Sequence, residues 1–412
     1  MKSLLIIGWV WPEPNSSAAG SRMLQLIQLF QSLNYDVTFA SPAQETEHMV
    51  DLAELGVVSA DIKLNCDSFD DFISSLQPDA VMYDRYMMEE QFGWRVAKYC
   101  PNALRILDTE DLQSLRNARH QAFKREKCLD NTDLNTELAI REVAAIFRCD
   151  LTIMISPAEV DLLVSHYQVP TNLLCYLPFI YDQEMLVRRS KGFEERHHFI
   201  SIGNFRHAPN WDSVLWLRQQ IWPEIRKQLP AAELHIYGAY PPKKATDLHC
   251  QKSGFLVKGW AEDALAVMES ARVCLAPLRF GAGIKGKLSD AMLCATPSIT
   301  TDIGAEGMTT EHGWPGAIAN SVDTFSAQAI AHYQDQNLWE QASKQAVTNR
   351  QQLFNKVAFE SSFAEQLQEI EVNSTQHRLQ NFVGLMLNHH SHKSTQYMSQ
   401  WIAAKNKLPA ES

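Results

Sequence analysis

Short apolar runs, each closed by a small or acidic residue and followed by an amphipathic stretch, recur along this chain and restrict its fold more than any other feature. In the first half SLLIIG, DVTFASP, DAVMYD and LRILDTED are such runs, while SRMLQLIQLFQSLN and the stretch around GWRVAKYC carry apolar residues at helical spacing. Parallel strands need a crossover connection, usually a helix, so this alternation is the signature of βαβ units around a parallel sheet. LTIMISPAEVDLLVSHY repeats the theme, with Ser156 at the N-cap position and Pro157 in the first turn. The pattern lapses in YDQEMLVRRSKGFEERHH, which places a domain boundary near 183–197. It then restarts: HFISIGN, a helix from about Trp211 to Gln228, ELHIYG, a helix near 243–252, FLVKG, a helix near 262–270, RVCLAPL, a glycine-rich loop, IKGKLSDAMLCA and PSITT. From about residue 321 the chain reads as helical, its last stretch as one helix or two.

The expected fold class is therefore α/β, with two Rossmann-like, doubly wound domains at 1–185 and 195–370 facing a central cleft, and a helical segment at 371–412. The length agrees, since 412 residues divide into two domains at ~100–200 residues each. With 45% hydrophobic and 21% charged residues the chain can bury real cores, which excludes disorder as its main state. Its 37 basic against 48 acidic side chains leave a formal charge of −11. That balance repels a phosphate backbone and excludes nucleic-acid binding through bulk charge, while leaving a local basic cleft open. No apolar run approaches the ~18 residues of a membrane span, and the opening MKSLLIIGWVWPEPN reads as a strand and turn rather than a signal peptide. The eight cysteines include no C-x-x-C pair, and several, such as Cys274 in VCLAPL, sit in apolar patterns. Reduced thiols, a cytoplasmic location and no zinc site are the expectation.

Chemistry concentrates in Phe280-Gly-Ala-Gly-Ile-Lys-Gly-Lys-Leu-Ser-Asp290, which follows a predicted strand and opens a predicted helix. Gly281, Gly283 and Gly286 let backbone pass close to a ligand, and a helix start presents unpaired N–H groups to an anion. Ile284, Leu288, Ala291, Met292 and Ala295 form the core face, whereas Gly283, Gly286, Lys287 and Asp290 share another. A lysine there suits a phosphate, and a carboxylate one turn later suits the vicinal hydroxyls of a ribose. Lys285 points away from that face in a regular helix and reaches the anion only from a loop. The same glycines satisfy a dinucleotide G-x-G-x-x-G, a weak signal that lies late in its domain and keeps a nicotinamide-dependent oxidoreductase as a rival. A plain glycine-rich turn with solvated lysines is the other alternative.

Taken in order, the opening strand and loop, SIGNFRHAPNWDSVLWL, LHIYG, VKGW and FGAGIKGKLSDAMLCATPSITTDIGAEGM resemble the GT-B glycosyltransferases of family 4 and its relatives over nearly the whole chain. The resemblance implies that Lys287, with Lys285 beside it, contacts the diphosphate of a nucleotide-sugar, and that Asp290 binds the ribose as the second acid of an E-x7-E motif. Ala282 stands where that motif has its first acid. Gly283 and Gly304 fall in donor-side loops. Gly203 and Arg206 follow the first strand of the second domain and help hold phosphates, although Pro209 and Asn210 replace the usual partner lysine. Gly20 and Ser21 match a loop over the donor phosphates.

In LRILDTEDLQSLRNAR, Glu110 lies where many relatives carry a histidine, and Asp108, with Asp84 of VMYDRY, falls on the acceptor side. Salt bridges on a solvated helix explain Asp111 and Arg119 equally well. The implied reaction is transfer of a sugar, with retention, from a nucleotide-diphosphate-sugar to the hydroxyl of a glycan or lipid-linked saccharide, in surface polysaccharide biosynthesis. Lys287, Arg206 and Glu110 would be catalytic, and no metal or other cofactor is expected, since no D-x-D sits in a strand-end loop. A non-catalytic nucleotide-sugar or glycan-binding protein of the same fold is the second rival. The terminal helices return to the first domain, with Phe382, Tyr397 and Trp401 packing on it; weak peripheral contact with a membrane is the secondary expectation. His389, His390 and His392 do not read as a metal site, because neighbours on a helix cannot face one ion.

Overall fold

The computed structural model describes residues 2–127 and 129–407. Cys128 and the side chains of His390 and His392 lie outside the described residues. The first sheet contains β1 (Lys2–Ile7), β2 (Tyr35–Ser41), β3 (Val58–Asp61), β4 (Ala80–Asp84), β5 (Leu104–Asp108), β6 (Leu151–Met154) and β7 (Leu174–Tyr176). Its order is β3-β2-β1-β4-β5-β6-β7, with every pair parallel. The second contains β8 (His197–Ile202), β9 (Leu234–Tyr237), β10 (Phe255–Gly259), β11 (Ala271–Ala276), β12 (Ser298–Thr300) and β13 (Gly316–Ile318), in the order β10-β9-β8-β11-β12-β13. It too is parallel throughout. Each sheet reverses its winding once, between β1 and β4 and between β8 and β11, and these switch points open a crevice at the strands' carboxyl ends.

β1 shows why the apolar runs are continuous rather than alternating. Leu4 and Ile6 join one hydrophobic cluster with Met23, Leu26, Ile27 and Phe30 of helix Ala18–Ser32, while Leu5 and Ile7 join another with Met88, Phe92 and Val96 of helix Tyr86–Tyr99. A strand covered on both faces buries every side chain, at about 1.5–3 kcal/mol for each large one. Among the described residues, five of the seven free cysteines are buried, as their apolar surroundings implied.

Two features of the terminal segment differ from expectation. The return to the first domain begins with helix Lys356–Val372, not at residue 371. Phe363, Leu367 and Ile370 enter that domain's core, Gln366 Nε2 donates to Leu174 O at 3.0 Å, and Glu371 pairs with Lys2 at 2.5 Å. Phe382, Tyr397 and Trp401 are 67%, 63% and 60% exposed. The last helix, Phe382–Lys407, reaches the first domain instead through Leu387, Ala403 and polar links such as Arg105 Nη1 to Asn388 Oδ1 at 3.2 Å, so the three rings fall on its outer face. No helix among the described residues is long and apolar enough to cross a membrane.

Candidate functional site

The ends of β8 and β11 face the ends of β1, β4 and β5 across the crevice, and the loop leaving β11 spans it. Helix Gly286–Leu293 starts there with Lys285 at its N-cap. Lys287, in its first turn, donates from Nζ to Asn210 Oδ1 at 2.8 Å, and Asn210 is held in turn by Nδ2 donating to Asn204 O at 3.0 Å. A Cβ on Gly203 would stand 2.8 Å from that ammonium and 2.6 Å from Asn210 Nδ2, so only glycine lets the lysine tuck against the β8 loop. Burial pushes Lys287 down to about 8 and raises Asp290, one turn later, to about 7. His207 beside them is pushed to about 4 by burial and by Arg116, which keeps it neutral. Arg206 lies over the Tyr240 ring, 3.6 Å from its centroid, and makes no ion pair among the described residues. Tyr240 donates to Glu13 of the first domain at 2.9 Å.

Lys285 turns the other way. Its Nζ donates to Gly283 O at 2.7 Å, and burial beside Glu306 and Glu159 leaves it lowered to about 8. It therefore stands apart from Lys287, on extended backbone at the N-cap, and is not brought beside Lys287 as the resemblance implied. Gly283 has φ 64, and a Cβ there would meet Asp111 Cβ at 2.7 Å. Its N–H donates to Glu159 Oε1 at 2.7 Å. Arg119 closes the same seam, with two hydrogen bonds of 2.7 Å to Glu306 and one of 2.9 Å to Gly281 O. His120 stacks on Phe280 at 4.4 Å. Burial opposes ionisation of Glu306, yet Arg119 holds its carboxyl below the usual range. Gly304 serves packing, since a Cβ would fall 1.9 Å from Thr300 Oγ1.

On the opposite wall, Asp84 and Asp108 end β4 and β5 and Glu110 follows. One carboxylate oxygen of each lies within 4.8 Å of the others. Asp84 Oδ2 accepts from Trp9 N at 2.9 Å. Both oxygens of Asp108 lack a partner among the described residues, as do Nε and Nη2 of the fully buried Arg22. Burial raises Asp108 to about 6, with Arg22 opposing and Asp84 assisting; burial and Asp108 push Glu110 well above its usual range. Arg85 and Glu110 both sit at positive φ, 71 and 62, so the acid-bearing loops hold strained backbone. Three converging carboxylates have the chemistry of a cation site, but Arg22 and Arg85 offset much of their charge. The arrangement suits shared protons and hydrogen bonds to hydroxyls.

The loop before helix Ala18–Ser32 uses its own groups. Ser17 Oγ accepts from Gly20 N at 3.0 Å and Ser21 Oγ donates to Pro14 O at 2.9 Å, so the Ser21 hydroxyl is committed within the loop. Ser156, expected to cap its helix, makes no side-chain cap bond. Glu159 was not singled out in the sequence, and Asn210 was noted only as standing where a lysine is usual. An acid in the first turn of helix Pro157–Ser165 reads simply as a complement to the helix dipole.

Residues 196–335 match the family described as Glycosyl transferases group 1. An uncharacterized 44.6 kDa protein in the cps region of Klebsiella pneumoniae is 26% identical over 188 residues, covering 44% of this chain and 46% of that protein; the match thus spans about half the length of this curated relative. Among solved structures, Anabaena HepE in complex with UDP-glucose superposes with a TM-score of 0.66 at 11% identity, over 90% of this chain and 100% of that one. Sucrose-phosphate synthase from Thermosynechococcus elongatus gives 0.64 at 13% identity, over 90% and 99%. The family match thus falls within the second domain, and the likeness to these solved structures shows that the two domains together make the GT-B fold.

Proposed function

We propose that this group 1 glycosyl transferase domain and the domain facing it form one active site that moves a sugar from a nucleotide-diphosphate-sugar to an acceptor hydroxyl. The observation that carries the reading is Lys287, a half-buried cation at the β8–β11 switch point whose ammonium, among the described residues, is held by a neutral amide and by no ion pair. Such a lysine is poised for an anion, because a diphosphate would relieve its desolvation and complete its charge. The anomeric C–O bond breaks as negative charge grows on the leaving diphosphate. Lys287 and the helix amides from Gly286 onward meet that charge where it develops, and Arg206 swings from Tyr240 to join them. Asp290 takes the ribose hydroxyls. Across the crevice Asp108, Asp84 and Glu110 hydrogen-bond the acceptor, and the ionised member of the Asp108–Glu110 pair takes the proton that the acceptor hydroxyl gives up. The seam of Arg119, Glu306 and Glu159 keeps the domains together and excludes water that would otherwise hydrolyse the donor.

Retention is the stereochemistry we assign, on the resemblance of the donor loop. Structural neighbours solved with UDP and UDP-glucose support a uridine donor, and the relative from a cps region supports a glycan acceptor in surface polysaccharide synthesis. The chemistry runs on cationic side chains without a metal. The test is thermal shift against UDP, GDP, ADP, CMP, their sugars and NAD(P), with no added metal. Ligand at ~100 Kd adds ~2.7 kcal/mol, so a rise with one nucleoside diphosphate supports the reading, and a rise with NAD(P) alone overturns it. Ala282, in place of an acid, favours a second reading as a non-catalytic sugar-nucleotide binder, which predicts binding without turnover.

A further inference from the structure

The helix Phe382–Lys407 turns its most apolar side chains away from the body of the protein. Phe382, Leu385, Met386, Tyr397, Met398 and Trp401 are 37–67% exposed, while Gly384, Ser399 and Ala403 are buried against the first domain. That inner face is tightly seated. A Cβ on Gly384 would fall 2.2 Å from Phe147 O, and Arg95 Nη2 donates to Ser399 Oγ at 3.4 Å. The exposed side chains therefore stand on a fixed rod, and a partner meets them with little ordering left to do.

Their positions mirror one another about the midpoint between residues 391 and 392. Phe382 and Trp401 stand at equal distances on either side of it, as do Leu385 and Met398, and Met386 and Tyr397. The outermost two are ~28 Å apart along the axis, and the stretch between the two apolar ends, NHHSHKSTQ, is polar. We propose that this face is a dimer interface, in which the helix pairs antiparallel with the same helix of a second copy about a two-fold axis near residues 391 and 392. Such an axis lays Phe382 on the partner's Trp401 and Met386 on the partner's Tyr397, and repeats both contacts at the other end. A parallel pairing or an offset register would set apolar ends on the polar centre. The inference goes beyond the transferase reading and does not depend on it.

Area and charge both fit a second copy. At ~150–250 Å² for a large side chain, the six at this exposure leave on the order of 600 Å² uncovered, so two copies hide about 1,200 Å², the lower bound of specific, stable interfaces. The chain has no acidic residue between Glu371 and Glu411, so the helix brings no carboxylate toward another molecule of net charge −11. An anionic membrane is the competing occupant, but the helix carries three lysines and no arginine, short of the cluster of ~4–8 basic residues that such a surface recruits.

Sedimentation velocity of the full chain over a dilution series reads the assembly. The expected result is a reversible dimer whose Kd falls as salt is added, because salt screens the repulsion between two chains of net charge −11. Trp401→Glu and Tyr397→Glu should each raise that Kd about a hundredfold or more, since a two-fold axis places every substitution in the interface twice. Both side chains are exposed, so thermal melting of the dilute monomer should not change. Val357→Glu, at an exposed position on another helix, should leave the dimer as it was. The register has its own readout: the Phe382→Lys chain mixed with the Trp401→Glu chain should pair more tightly than either pairs with itself, because antiparallel packing sets the introduced charges against each other. A monomer at every concentration, a dimer undiminished by both glutamate variants, or no gain on mixing would overturn the proposal. So would a monomer that sediments with phosphatidylglycerol vesicles at low salt and leaves them on Trp401→Glu, which would give the face to a membrane.

Discussion

Lys287→Met separates binding from folding, because the two effects have opposite signs. The ammonium is pushed from 10.5 to about 8 by burial, which at ~1.36 kcal/mol per pH unit amounts to ~3 kcal/mol of uncompensated desolvation. The residue is only half-buried by accessible surface, so that figure is an upper bound. Losing the hydrogen bond to Asn210 costs ~1 kcal/mol. An uncharged chain of similar length should thus stabilise the unliganded protein by about 1–2 kcal/mol at pH 7. The pH sign follows from linkage. Below about 8 the lysine is charged in both states and the penalty is fully present. Between about 8 and 10.5 the folded chain gives up its proton first, so the variant's advantage fades across that window. Urea unfolding at pH 7 and pH 10, with and without UDP, measures both parts. The variant should gain stability at pH 7, lose most of that gain at pH 10, and show none of the ~2.7 kcal/mol that saturating UDP gives the parent. A variant less stable than the parent at pH 7, or one that UDP still stabilises, would falsify the view of Lys287 as an anion-seeking cation.

Three other outcomes follow from the same geometry. Affinity for a nucleoside diphosphate should fall roughly tenfold per pH unit above about 8, and Lys287→Arg should flatten that profile; titration calorimetry from pH 7 to 9 reads both. Arg119→Ala removes three hydrogen bonds from the domain seam and should cost about 2–3 kcal/mol by calorimetric melting, with Arg119→Lys restoring only part because it lacks the planar fork; an unchanged Tm would count against the seam. For Asp108, raised to about 6, folding stability is lost as pH rises through that value, since the folded state holds the proton longer. Asp108→Asn should weaken this decline, bring Glu110 back toward the ordinary carboxylate range and slow transfer by about 10²–10⁴; a Tm–pH profile identical to the parent's would contradict it.

Most of the fold was legible because parallel strands covered on both faces must be apolar at every position. β1 buries four successive residues, Leu4 to Ile7, and no other element offers a short continuous apolar run such a home. Periodicity fixes which face of a helix is buried, yet it is silent about what covers that face. Phe363, Leu367 and Ile370 have the same spacing whether they pack on the second domain or on the first, so the return at Lys356 could not be read. The outward rings of the last helix failed for the related reason that aromatic residues were assigned to a core by type, while the packing helices chose the opposite face.

The site divides along the same line. Lys287 and Asp290 were legible since a lysine and an acid a turn apart, after a strand and three glycines, have few other local uses. Lys285 was not, because it sits on extended backbone at the N-cap and the structure turns it toward Glu306 and Glu159. The part played by Asn210, and Glu159 and Arg22 altogether, were hidden because nothing local marks them. Asn210 matters only because Gly203 leaves room for Lys287, Glu159 only because the facing domain presents the Gly283 amide, and Arg22 only because two strand ends deliver buried carboxylates to it. In each case one partner is conspicuous in the chain and the other is recognisable only by what the first leaves unpaired. A deeply buried polar atom without a partner is costly enough to need a reason. The unpaired atoms of Arg22, Asp108 and Glu159 fall at or beside the crevice and not in the middle of either core, which makes the crevice the place to look for that reason.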